Sequence, residues 1–141
     1  EQITDLLGME NCDVTIHVQQ PSQICKLHMD NITSYFHHVT DVADEFSTQE
    51  FDHKMRQPKG SKPLYRLFVA LDDWHPGQSW LWGETPWIGY KKGDVVNFQW
   101  RAVPHGTCNF GWHIRPMLRL TGFLQDESIV TRTNQQWSID L

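Results

Sequence analysis

The chain has few cysteines and no long apolar run, basic excess or strong helical period. Its three cysteines, Cys12, Cys25 and Cys108, are odd in number and far apart, so they make neither a disulfide framework nor a zinc-ribbon spacing. They suit a reducing compartment, where a free cysteine behaves as a small hydrophobe, and a cytoplasmic location is the expectation. No apolar stretch approaches the ~20 residues of a membrane span, and no signal-peptide core is visible; the membrane is not an expected partner. Lys and Arg number 12 against 17 Asp and Glu, a net charge of −5, which argues against nucleic acid as a partner because phosphate binding wants a basic footprint. There is no phosphate loop, no CxxC and no persuasive Ser-His-Asp spacing.

What is present is aromatic and imidazole-rich: seven Trp, seven Phe and eight His in 141 residues. That length is one domain and can bury a core without disulfide support. The expectation is a single domain over residues 1–141. Because it starts at Glu1 rather than Met, a missing N-terminal segment is compatible with it.

Strand signals dominate. Ile3, Leu6 and Leu7 give a brief helical spacing. Val14, Ile16 and Val18 then alternate with Thr15 and His17, the period of a strand. Gln20 to Ser22 reads as a turn, and Ile24 onward as another strand or pair. Residues 37–62 are polar, with a Pro58-Lys59-Gly60-Ser61 breaker, and read as a long loop. Leu64 to Leu71 is a near-continuous apolar run, hence a buried strand. Further strands are expected at Gln78 to Trp82, Trp87 to Tyr90, Val95 to Trp100 and Arg115 to Leu124; the tail is uninformative. Many short strands about ten residues apart point to an antiparallel sandwich, jelly roll or barrel.

Three elements carry chemistry. His28-Met29-Asp30 places an imidazole and a carboxylate two residues apart, on one face if the segment is a strand, which begins a site for Fe(II), Mn or Zn. His105 follows Pro104 far along the chain and would complete a two-His-one-carboxylate set if the strands roll up. Arg115 opens the next strand, and a buried guanidinium wants an anion. Arg119, on the same face, could take its place. Arg66, on the buried-looking strand, is a candidate to hold a substrate carboxylate. Trp80, Trp82, Trp87 and Trp100 either line a pocket or pack the core. Asn31 and Thr33 could hydrogen-bond a ligand, and His37, His38 and His53 read as exposed loop residues.

The order His28-x-Asp30, then His105, then Arg115 ten residues later, on a strand-rich chain, resembles the Fe(II)/2-oxoglutarate-dependent dioxygenase superfamily over roughly Asp13 to Phe123. The stretch from Gly93-Asp94 through Pro104-His105-Gly106-Thr107, Asn109 and Arg115 to Leu120-Thr121-Gly122 looks most like the aspartyl/asparaginyl and proline hydroxylase branches. The resemblance implies a mainly β, double-stranded β-helix (jelly-roll) fold with little helix. It implies His28, Asp30 and His105 as iron ligands and catalytic residues, and Arg115 as the anchor of 2-oxoglutarate. The implied reaction is hydroxylation of a C–H bond of an amino acid, peptidyl residue or small metabolite, with release of succinate and CO2. Related halogenases lack the carboxylate, so Asp30 points to oxygenation. Two other readings remain: a cupin-type metal protein that does not use 2-oxoglutarate, since Gly93-Asp94, His105 and Asn109 are similar to the second cupin motif, and a jelly-roll binding module without catalysis.

Overall fold

The computed structural model describes residues 3–30, 51–52, 57–58, 64–97, 103–126 and 136–140. One short helix, α1 (Ile3–Leu6), precedes eleven strands: β1 (Met9–Gln19), β2 (Ile24–His28), β3 (Phe51–Asp52), β4 (Gln57–Pro58), β5 (Tyr65–Ala70), β6 (Gln78–Trp82), β7 (Thr85–Trp87), β8 (Asp94–Asn97), β9 (His105–Asn109), β10 (Arg115–Leu124) and β11 (Gln136–Ser138). One sheet has the order β1-β10-β5-β8-β11 and the other β2-β9-β6-β7, while β3 and β4 pair with each other. From β1 to β10 the strands of the two larger sheets alternate between them except at the β6–β7 hairpin, β11 returns to the sheet of β10, and the chain's first and last long strands, β1 and β10, lie side by side. That interleaving is a jelly roll.

β5 runs through the middle of the larger sheet and is buried on both faces, which is why its sequence reads as a continuous apolar run. Its outward Leu67 and Val69 join Val95, Leu118, Leu120 and Leu124 under Leu7 and Met9. Its inward Phe68 and Ala70 meet Trp80, Trp87 and Tyr90 of the smaller-sheet side, with Val96 and Met117. Phe68 meets Trp80 edge to face at a centroid distance of 4.3 Å, the arrangement the ring quadrupoles favour. This aromatic core fills the β5–β8 and β6–β7 half of the sandwich. The β1 and β2 half is polar.

β1 shows the consequence. Val14, Ile16 and Val18 remain 45–63% exposed. The alternate residues Thr15, His17 and Gln19 sit opposite Arg119, Met117 and Arg115 and line a cavity between the sheets. The strand period is as expected, but here the polar face turns inward because the interior is a cavity rather than a packed core.

Other strands fall close to expectation: β6 and β10 match, and β5 matches within a residue. The strand expected at Trp87 to Tyr90 lies instead at Thr85–Trp87, with Pro86 inside it. β7 is the sheet's edge, where a residue without an N–H is tolerated. The uninformative tail contributes β11, which pairs with β8. Within the expected 37–62 loop, the described residues form the short β3–β4 pair.

Leu120 is fully buried on the face away from the cavity. Leu120→Ala should cost about 2–5 kcal/mol, whereas Ile16→Ala should stay within about 0.5 kcal/mol; urea unfolding measures both.

Candidate metal centre and its cavity

The cavity between the sheets has a volume of about 540 Å³, within the range of small-molecule sites. At one level of it, the end of β2 and the start of β9 bring His28 directly opposite His105, with ring centroids 4.5 Å apart. β2 is irregular between Cys25 and His28, and Gly106 makes that close packing possible. A Cβ on Gly106 would lie 2.8 Å from the Cys25 carbonyl oxygen and 3.1 Å from the Leu27 nitrogen.

Each imidazole has its Nδ1 on a backbone carbonyl two residues earlier: His28 on Lys26 at 2.7 Å and His105 on Val103 at 3.1 Å. A carbonyl can only accept, so Nδ1 carries the proton and donates. This is how metal-binding histidines are commonly oriented, leaving Nε2 as the ligand atom. Both Nε2 atoms face one oxygen of Asp30, Oδ1, at 3.1 Å from His28 and 3.4 Å from His105. All three potential ligand atoms lie within 4.8 Å of one another. Ligand atoms about 2.1 Å from a shared ion are about 3.0 Å apart at a right angle and about 3.4 Å at the tetrahedral angle, so these contacts suit a bound cation. With neutral imidazoles, three lone pairs would converge there, and a cation between them removes the repulsion. The donor set fits a divalent metal of the iron, manganese or zinc kind.

Asp30 lies two residues beyond β2, so strand alternation is not what aims it. Arg66 does that from the other sheet. Its Nη1 donates to Asp30 Oδ2, while its Nε donates to the buried Thr121 hydroxyl at 2.8 Å. Oδ2 is thereby occupied and Oδ1 turned toward the histidines. Burial pushes the Asp30 carboxyl up, but a hydrogen bond donated by His105, which a metal on Nε2 would replace, and the charge of Arg66 outweigh it and hold it down at about 2. The acid contacted by Arg66, expected to hold a substrate carboxylate, belongs to the chain itself.

Arg115 enters the cavity from the start of β10 and is only 6% exposed. Its Nε donates to Gln19 Oε1 at 3.0 Å, and its guanidinium carbon lies 5.5 Å from the centroid of Trp80. Its Nη1 is buried with no hydrogen-bond partner, and no carboxylate pairs with it among the described residues. Burial lowers its pKa and the neighbouring Tyr90 pulls it back up; an arginine in such a place stays charged. Arg119 differs, since its Nη2 reaches Thr15 Oγ1 at 3.1 Å and Asp13 Oδ2 at 3.4 Å. Of the two arginines, Arg115 is the one without an acid.

Trp80 lines the cavity, while Trp82, at the edge of the core, stacks on the core residue Trp87, centroids 5.7 Å apart. His113 stacks on His75 at 4.0 Å, away from the cavity lining. Asn31, Thr33, His37, His38, His53 and Trp100 lie outside the described residues. Sequence reasoning passed over His17, Gln19 and Thr121. The signal for the first two was the polar face of the β1 alternation.

The site and topology define a jelly-roll protein with a candidate His-Asp-His metal centre. A crystal structure of a cupin 2 conserved barrel domain protein from Salinispora arenicola CNS-205 aligns with a TM-score of 0.42 at 13% identity, over 87% of this chain and 70% of that one. No family model matches the chain, and no curated protein does. Among the described residues no helix is long and apolar enough to cross a membrane.

Gly106→Ala should push β2 off β9 and part the two imidazoles. Zn(II) affinity, followed by calorimetric titration, should fall at least about tenfold, while the far-ultraviolet spectrum stays that of a β protein.

Proposed function

We propose that the protein is an Fe(II)- and 2-oxoglutarate-dependent oxygenase that hydroxylates a C–H bond of an amino acid, peptidyl residue or small metabolite, releasing succinate and CO2. The observation that carries this reading is the buried Arg115, without an acid partner among the described residues, in the same cavity as His28, Asp30 and His105. A guanidinium buried without a counter-ion is costly, and an anionic ligand would supply the missing charge.

The strand registers suit that ligand. His105 and Thr107 line the cavity two residues apart on β9, about 7 Å along the strand. Thr107 pairs with Trp80, whose ring lies under the Arg115 guanidinium. The triad and Arg115 thus border one cavity, where a diacid can place one acid end on each.

Bound iron would supply the redox chemistry that couples decarboxylation of 2-oxoglutarate to C–H hydroxylation. The chain's own residues do the rest. His28, His105 and Asp30 Oδ1 would hold the ion. Arg115, braced by Gln19, binds the far carboxylate with planar, directional donors. Gln19 is itself held by donating from Nε2 to the Gln23 carbonyl at 3.0 Å. Phe68, Trp80 and Met117 supply an apolar wall that excludes water.

The cupin reading without 2-oxoglutarate gives Arg115 no task. It also finds Asn109 fully buried and spent on backbone, donating to the Gln19 and His113 carbonyls and accepting from the Gly111 N–H.

Under anaerobic conditions, Fe(II) and 2-oxoglutarate together should give a weak visible charge-transfer band, and its absence from metal-reconstituted protein would overturn the proposal. His28→Ala should lose metal binding. Arg115→Met should keep the metal but weaken 2-oxoglutarate about 10- to 100-fold, the loss expected for charged hydrogen bonds. Unchanged 2-oxoglutarate affinity would remove Arg115 from this role.

A further inference from the structure

The cavity carries more positive charge than one diacid accounts for. The chain is acidic, with a net charge of −5, yet Arg66, Arg115 and Arg119 all face the space between the sheets. Among the described residues the only carboxylate lining that space is Asp30, and Arg66 already occupies it. A 2-oxoglutarate carboxylate would satisfy Arg115. Arg119 remains.

Arg119 is incompletely satisfied. Its acid is Asp13, whose side chain is 45% exposed and 3.4 Å away, and an exposed pair of that length contributes little. Its Nε is buried with no hydrogen-bond partner. Register fixes its level. Thr121, which touches Arg66, pairs with Arg66 on β5, and Arg119 pairs with Phe68 one inward repeat deeper. Arg119 therefore stands between the level of the triad, marked by the Arg66–Asp30 contact, and the deeper level of Arg115. His17 lies beside it on β1 and lines the same wall. Desolvation, then Arg119, Arg66 and Arg115, lower the His17 pKa, and Asp30 opposes them. A neutral His17 offers a hydrogen-bonding nitrogen next to the Arg119 guanidinium.

Building on the proposed function, we infer that the oxidised substrate is itself an anion: a small molecule whose carboxylate sits on Arg119, with Thr15 and His17 beside it, while 2-oxoglutarate occupies Arg115. This selects, among the substrates the reaction allows, a free acid such as an unblocked amino acid over a residue within a peptide. The positive cavity of an acidic protein also draws such anions in.

The test uses the full chain loaded with Zn(II), which does not turn over, and saturated with 2-oxoglutarate. The first calorimetric titration, 2-oxoglutarate into Zn(II)-protein, reads the proposed function; failure to bind overturns that reading and this inference together. The second adds matched probes to the saturated protein: L-valine, L-norvaline and butyrate, each against its primary amide, which lacks the carboxylate charge. At least one carboxylate should bind about tenfold or more tighter than its amide. Arg119→Gln should abolish that preference and leave 2-oxoglutarate affinity within twofold. Asp13→Asn, at an exposed position, frees Arg119 of its acid and should tighten carboxylate binding severalfold. Equal binding of acid and amide overturns the inference. So does the absence of binding by every carboxylate, or a preference unaltered in Arg119→Gln and Asp13→Asn, and in each case 2-oxoglutarate binding still stands for the proposed function.

Discussion

The contact between Arg66 and Asp30 is the constraint on which the site depends. It joins the two sheets across the interior, since Arg66 belongs to β5 and Asp30 follows β2. No strand ladder holds Asp30, so without the guanidinium its carboxylate would be free to turn. With Arg66 on one oxygen, the other faces both imidazoles. Arg66 is fixed in turn by the Thr121 hydroxyl on the neighbouring strand. Removing either charge would strand the other in a poorly solvated place, a cost of several kcal/mol by the usual magnitude for buried pairs.

The remaining architecture separates a packed half from a polar half. Tryptophans and aliphatic residues fill the sandwich where β6 and β7 face β5 and β8, and that half supplies the hydrophobic stabilisation. The outer face of the larger sheet is covered as well, by Leu7 and Met9. Rigid packing on these two sides can support a cavity that packs poorly and holds charge. Placing His28, His105 and Arg115 at strand ends and starts, rather than in long loops, holds their backbones to the geometry of the ladders.

Much of the fold was legible. Alternation over Val14 to Val18, the apolar run at β5 and the turn signals between short strands follow from local chemistry, and they are sufficient for an antiparallel sandwich, jelly roll or barrel; the jelly roll in particular came from the family resemblance. The convergence of His28 with Asp30 and His105 was legible as spacing and order. Three things were not. The inward face of β1 was unreadable, because a polar face means solvent in most strands and a cavity in few. The strand at Thr85–Trp87 was obscured by Pro86, whose tolerance depends on its being at an edge. The partner of Arg66 lay 36 positions away in sequence, and no local pattern connects it to Asp30.

By itself the sequence determined which segments could be strands, which side chains could ligate a metal, and that guanidiniums were available for anions. These are properties of residue type and short-range period. Only the tertiary structure decided which arginine holds the chain's own carboxylate, which one partly pairs with Asp13, and which one is left without an acid. The physical reason is that charge pairing is a matter of distance in space. Arg66, Arg115 and Arg119 are chemically identical, and only the register of β10 against β1 and β5 gives each a different neighbour.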